Sequence, residues 1–147
     1  MKSKSLVVAI AVCCSGSIVA AESLQEKQDR AREEKSMEGP MKQINKVCKA
    51  SIQFKFDWST WKETHDQGGH RAYSACNDSA DVLNTMCRDA LAQEAVSKQL
   101  KKIICLGNSS ERSADYKDGT LTVHTGLGVD KGDIRNATKK ALGDGLK

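Results

Sequence analysis

The sequence has little in it that announces a reaction. Past Cys13 and Cys14, no two cysteines lie closer than 11 residues. That spacing argues against a structural zinc site, whose ligands usually come in close pairs. Neither sign of charge is in large excess: 23 Lys and Arg stand against 19 Asp and Glu, a formal +4. The two signs are interleaved almost throughout, so no basic face for nucleic acid is laid out. The local cluster Lys98, Lys101 and Lys102 reads as a solvated helix face. Gly126-Leu127-Gly128 is not followed by Lys-Ser/Thr at phosphate-loop spacing, and a dinucleotide-binding context is missing. There are no internal repeats and no low-complexity tract. No apolar run reaches the ~20 residues that span a bilayer.

What is present begins with an export signal. Met1-Lys2-Ser3-Lys4 is basic, and residues 6–12 (LVVAIAV) are apolar. Small residues then lead to Ala20-Ala21, followed by an abrupt change to charged sequence at Glu22. This is the pattern of a cleavable secretory segment, with the cut expected after Ala21. Two rival readings stay open. An uncleaved segment would be a membrane anchor, and Cys13 or Cys14 could carry a lipid. Against lipidation, Val12 or Cys13 occupies the preceding position, where a very small residue is required. The expected organisation is a signal over 1–21, a charged spacer over 22–39 and one domain over 40–147. Loss of Lys2 and Lys4 would bring the net charge to about +2 and the length to about 126 residues, enough for one modest core.

Residues 22–38 (ESLQEKQDRAREEKSME) have almost no apolar stripe and read as a solvated spacer, helical or frayed. Gly39-Pro40 punctuates the chain, and Pro40 suits the first turn of a new helix carrying Met41, Ile44, Val47 and Cys48. Ile52, Phe54, Phe56 and Trp58 alternate with polar residues and predict a half-buried strand. Asn77-Asp78-Ser79 offers cap chemistry for the next helix. Apolar residues from Val82 to Leu91, and again from Val96 to Cys105, recur at helical spacing. They fit two antiparallel helices broken near Ala92-Gln93-Glu94. One continuous helix is the competing reading, since no Gly or Pro marks the break. Asp118-Gly119 predicts a tight hairpin turn, and Asp133 can cap a final helix. The expected fold is therefore α+β. A small antiparallel sheet, from residues 52–58 and the 113–125 hairpin, packs against an α-hairpin over 78–106 and a C-terminal helix.

Cys48, Cys76, Cys87 and Cys105 remain after the signal, and an even number in a small exported chain favours disulfides. If Cys76 and Cys87 share a helix, 11 residues of rise hold them about 16 Å apart, while a disulfide needs Cα atoms within about 7 Å. In a helical hairpin turning near Gln93, Cys76 comes beside Cys105. The expected pairs are Cys48–Cys87 and Cys76–Cys105.

Several of these features together resemble a group of uncharacterised exported bacterial proteins. They are Phe56-Asp57-Trp58-Ser59 closing a strand, Tyr73-x-x-Cys76 before a helix bearing Cys87, a lysine-rich stretch from Lys98 to Cys105, and the Lys117 to Thr122 turn. The resemblance covers residues 44–142. It implies a periplasmic or extracellular bacterial protein and names no activity.

Candidate chemistry is concentrated in one loop. His65, Asp66 and His70 lie within a polar, glycine-containing stretch, with Asp57 nearby, and His suits acid–base or metal work at neutral pH. No third ligand is evident, and disulfide-bonded cysteines cannot act as nucleophiles. Trp58 is in phase with the core face, whereas Trp61 lies beyond the strand and is expected to be exposed. Trp61, His65 and His70 thus form the expected binding patch, and His124 is read as a solvent-facing strand residue. No cofactor is expected. The leading reading is a non-catalytic exported protein that binds another protein or an envelope component, with no nucleic acid as partner and membrane contact only if the signal is retained or lipidated. The alternatives are a small hydrolase or metal-dependent enzyme using Asp57, His65, Asp66 and His70, and a membrane-tethered accessory protein.

Overall fold

The computed structural model describes residues 23–66 and 69–146; the expected signal and its cleavage point lie outside these residues. Among the described residues the fold is α+β, with four helices and one four-stranded sheet. In chain order the elements are α1 (Leu24–Val47), β1 (Gln53–Phe56), a one-turn 3-10 helix (Trp58–Thr60), α2 (Ala72–Met86), α3 (Ala90–Gln99), β2 (Lys102–Leu106), β3 (Ser113–Lys117), β4 (Thr120–His124) and α4 (Ile134–Gly145). Sheet order is β1-β2-β4-β3.

The sheet is mixed rather than antiparallel. β2 pairs in parallel with both β1 and β4, and only the β3–β4 hairpin is antiparallel. The correction comes from residues 102–106, expected to end a helix and found as an inner strand. Leu100, Ile103 and Ile104 satisfy a helical spacing, but the same stretch also alternates. Ile103 and Cys105 are buried, while Lys102, Ile104 and Leu106 take the other face. Two consecutive β-branched residues suit a strand, and partners on both sides settle the choice. The expected α-hairpin over 78–106 is not formed: the two helices span Ala72–Met86 and Ala90–Gln99, and α3 does not pack along α2. α2 ends at Met86, and Asp89 starts α3 by accepting hydrogen bonds from the Leu91 and Ala92 amides. The break therefore precedes the expected one by a few residues.

The expected helix start at Pro40 is also overturned. α1 begins at Ser23, whose hydroxyl and the Glu26 carboxylate form a reciprocal capping box, and it runs straight through Pro40. Proline inside a helix normally costs about 3 kcal/mol. Tertiary packing outweighs it: Met37, Met41, Ile44 and Cys48 form one buried stripe across both sides of Pro40, and α1 packs on α2. The segment expected to be a solvated spacer thus contributes Met37 and Glu33 to the interior.

Glu33 has a specific task. α2 starts at Ala72, five residues before the Asn77-Asp78-Ser79 signal, and its N-cap Arg71 makes no side-chain cap. Glu33, from α1, supplies one: its carboxylate accepts from the Tyr73 amide at 2.8 Å and from Arg71 Nε at 2.7 Å, and pairs with Arg71 Nη2. A negative group at a helix N-terminus satisfies an orphan amide and complements the dipole.

The core lies on one face of the sheet. Phe56, Ile103, Cys105, Leu121 and Val123 are all buried there, with α1 against β1 and α4 against β3 and β4. Burial of each large apolar side chain contributes roughly 1.5–3 kcal/mol. The opposite face carries Gln53, Lys55, Lys102, Ile104, Thr122 and His124, all exposed or half-buried. There His124 lies 3.1 Å from Asp115. The hairpin turns at Asp118-Gly119 with φ of 49° and 78°, the two positive values that a two-residue turn matching strand twist requires.

Both disulfides are as expected: Cys48–Cys87 and Cys76–Cys105. Cys105 reaches Cys76 from an inner strand, not from a helix, so the second bridge ties α2 to the sheet. Among the described residues, no helix is long and apolar enough to cross a membrane.

Candidate functional site

Three parallel strands end on the same side of the sheet. Beyond their carboxyl ends lie the loops after β1 (57–71), β2 (107–112) and β4 (125–133). They enclose an open groove of about 420 Å³, lined among others by Trp61, Glu63, Asp66, Asn108, Ser109 and Leu127.

Trp61 forms its inner wall, and here the two tryptophans exchange the roles expected of them. Trp61 is 5% exposed. Its indole N–H points to the Cys105 carbonyl at 3.4 Å, and its ring lies flat against Gly107. Trp58, in phase with the core by alternation, is only half-buried. The reason is the 3-10 turn that follows β1. Asp57 accepts from the Ser59 amide and hydroxyl, turning the chain before Trp58 can continue the strand. The Ser59 hydroxyl holds the Asp57 carboxyl below its ordinary range. Asp57 thus serves as a turn cap bound to Ser59.

Close approach of main chain builds the rest of the groove. Gly107 donates its amide to Thr60 Oγ1 at 2.9 Å, tying the loops after β1 and β2 together. A Cβ on Gly107 would fall 2.1 Å from the Trp61 ring. Gly107→Ala should therefore displace the indole and destabilise the domain by about 1–3 kcal/mol. A shift in Trp fluorescence together with a lowered melting temperature would register it, and an unchanged melting temperature would contradict this packing. The Ser109 amide binds the Thr125 carbonyl at 3.0 Å, joining the loops after β2 and β4. Gly128, at φ +64°, brings the third loop against Asp66 and His70.

Neither His65 nor His70 is among the residues lining the groove. His65 contacts the neighbouring Thr64 hydroxyl at 3.2 Å, and its backbone bridges to Arg71. His70 is exposed, its Nδ1 2.9 Å from Asp66 Oδ2, and its amide donates to Asp66 Oδ1 at 2.9 Å. Asp66 thereby closes a tight loop and orients the exposed imidazole with Nε2 free of that contact. Among the described residues, no three His, Cys, Asp or Glu side chains are grouped so as to hold a metal ion.

The groove residues contributed by 107–110 and 126–129 were not legible as a site. Gly107 reads as a helix stop while 102–106 is taken for helix. Once that segment is a parallel strand, Gly107-Asn108-Ser109 becomes the loop at a strand's carboxyl end, the usual ligand position in open sheets with parallel strands. No family model, curated protein or solved structure matches the chain.

Proposed function

We propose that this chain is an exported, disulfide-bonded binding protein without catalytic chemistry, whose partner is a protein or other envelope component seated in the groove beyond β1, β2 and β4. The observation that carries this reading is the position of the groove, outside the carboxyl ends of three parallel strands, where such sheets take ligands. Its wall is tied together: Trp61 packs against Gly107, the Gly107 amide binds the Thr60 hydroxyl, and the Ser109 amide binds the Thr125 carbonyl. Its polar rim, with Asn108, Ser109 and Ser110 beside Glu63 and Asp66, suits a partner recognised through hydrogen bonds. The N-terminal segment and the disulfides support export. A photo-reactive amino acid at Leu127 should cross-link one envelope component in cells of the source type, whereas the same group at exposed Leu91 on α3 should not. Equal yields from the two positions would remove the groove from consideration.

The Asp66–His70 pair favours a second reading, a small hydrolase in which His70 activates water. A carboxylate on Nδ1 that leaves Nε2 available is the arrangement of a general base. Under this reading, turnover of chromogenic esters, glycosides or peptides should fall by at least about 10²-fold in His70→Ala. Absence of turnover in the wild-type chain would end it.

A further inference from the structure

A second surface lies along β1, apart from the groove at the strand ends. β1 is an edge strand. Its Gln53 and Asp57 amides donate to Lys101 and Cys105 on the β2 side. By the alternation of a strand, the N–H and C=O groups of Phe54 and Phe56 face away from β2, toward the free edge. Helix α1 runs beside that edge, leaving a groove of about 410 Å³ lined by Glu34, Met37, Glu38, Met41, Phe54, Lys55 and Phe56, with two carboxylates to one ammonium. Edge strands are commonly blunted by shortness, charged side chains, proline or a bulge; β1 is four residues long and carries Lys55. Beside the lysine, the strand presents half-buried Phe54 and buried Phe56 to the groove.

The groove has a charge as well as a shape. Glu34 and Glu38, four apart, stand on one face of α1 and are exposed. Trp58 fixes the first of them: its Nε1–H donates to Glu34 Oε1 at 2.8 Å, and its ring stacks on Phe56 with centroids 4.6 Å apart. The helical wall is thus held in place before any ligand arrives, which lowers the ordering cost of binding.

We propose that the groove between β1 and α1 receives an extended segment of another polypeptide, added as a fifth strand beside Phe54 and Phe56, with Lys or Arg side chains meeting Glu34 and Glu38. The main-chain edge supplies hydrogen bonds and the helix supplies side-chain selection, the division of labour in β-strand addition. Long basic side chains suit the wall, since their stems lie over Met37 and Met41 while their heads reach the carboxylates. A second copy of this chain fits less well, because its α1 would bring the same two carboxylates against the first pair. The proposal stands independently of the groove at the strand ends.

A random twelve-residue peptide library displayed on phage, selected on the oxidised chain, supplies the probe. Enriched peptides should alternate apolar residues with Lys or Arg. A synthetic peptide of the enriched sequence should lose about tenfold in affinity by calorimetry against the Glu34→Gln/Glu38→Gln variant, since two exposed ion pairs are removed. N-methylation of alternate backbone amides should weaken it similarly, and Leu127→Arg in the other groove should change nothing. No enrichment, enrichment without basic residues, or affinity indifferent to Glu34→Gln/Glu38→Gln would overturn the proposal. So would a dimer in sedimentation that Glu34→Gln/Glu38→Gln tightens, which would make a second copy the occupant.

Discussion

Reduction of both disulfides is expected to unfold the domain. Cys48–Cys87 spans 39 residues and Cys76–Cys105 spans 29. Loop-closure entropy assigns them about 4 and about 3.5 kcal/mol respectively. The two loops interleave, so the joint effect is somewhat less than the sum. A domain of this size has only about 5–15 kcal/mol of net stability. All four cysteines are buried at 0–1% exposure, so reductant reaches them chiefly through opened states. Of the two, Cys76→Ala/Cys105→Ala should be the more damaging despite its shorter loop. It frees α2 from an inner strand and leaves a void between them, whereas Cys48 and Cys87 join two helix ends. The check is a thermal melt of the native and the reduced, alkylated chain, with intact mass confirming four hydrogens of difference. Loss of the cooperative transition on reduction is the expected result. A reduced chain melting within a few degrees of the oxidised one would show that packing alone holds the fold. The same melt bears on the export proposal, because a fold that depends on its disulfides needs an oxidising compartment.

Glu33→Ala is expected to lower stability by about 2–3 kcal/mol, the sum of a lost helix cap and lost charge-assisted hydrogen bonds. Glu33 is 3% exposed, and its carboxylate accepts from the Tyr73 amide and the Arg71 guanidinium together. Removing it leaves the part-buried Tyr73 amide at the start of α2 without its acceptor. Arg71 is 42% exposed and can turn to water, which keeps the loss below the 3–5 kcal/mol typical of a fully buried pair. For a chain of this length the melting temperature should fall by roughly 8–12 °C. Glu33→Gln, which keeps one acceptor for the Tyr73 amide, should lose only part of that. If Ala and Gln behave alike, the charge rather than the cap carries the effect. If neither changes the melting temperature, α1 is not holding α2.

Local chemistry was legible where it is decided locally. Asp133 before α4 and Asp118-Gly119 between two alternating segments act over a few residues, and both stand where the sequence places them; the Ser23–Glu26 capping box is equally local but was not read. Of the cysteine pairing, the rise of a helix excludes Cys76–Cys87; the choice between the two pairings left rested on a helical hairpin, and Cys105 instead reaches Cys76 from β2. Long-range partners decided the rest. Residues 102–106 satisfy both periods, and only pairing with β1 and β4 makes them a strand. Pro40 should end a helix by local rules, yet the buried stripe from Met37 to Cys48 carries α1 through it. Trp58 and Trp61 lie three residues apart, and the Asp57 turn with the small Gly107 opposite buries the second and half-frees the first. The site has the same origin. Asp66 and His70 were visible as a loop, but the groove beside them needs Gly107, Ser109 and Leu127, which come together only when three strands run in parallel. Composition and short-range chemistry therefore determined the class, the set of cysteines available for bridging and the turns of this protein. Which segments became inner strands, which tryptophan was buried and where a ligand could sit were decided by contacts across the chain, whose free energy exceeds the small local preferences they override.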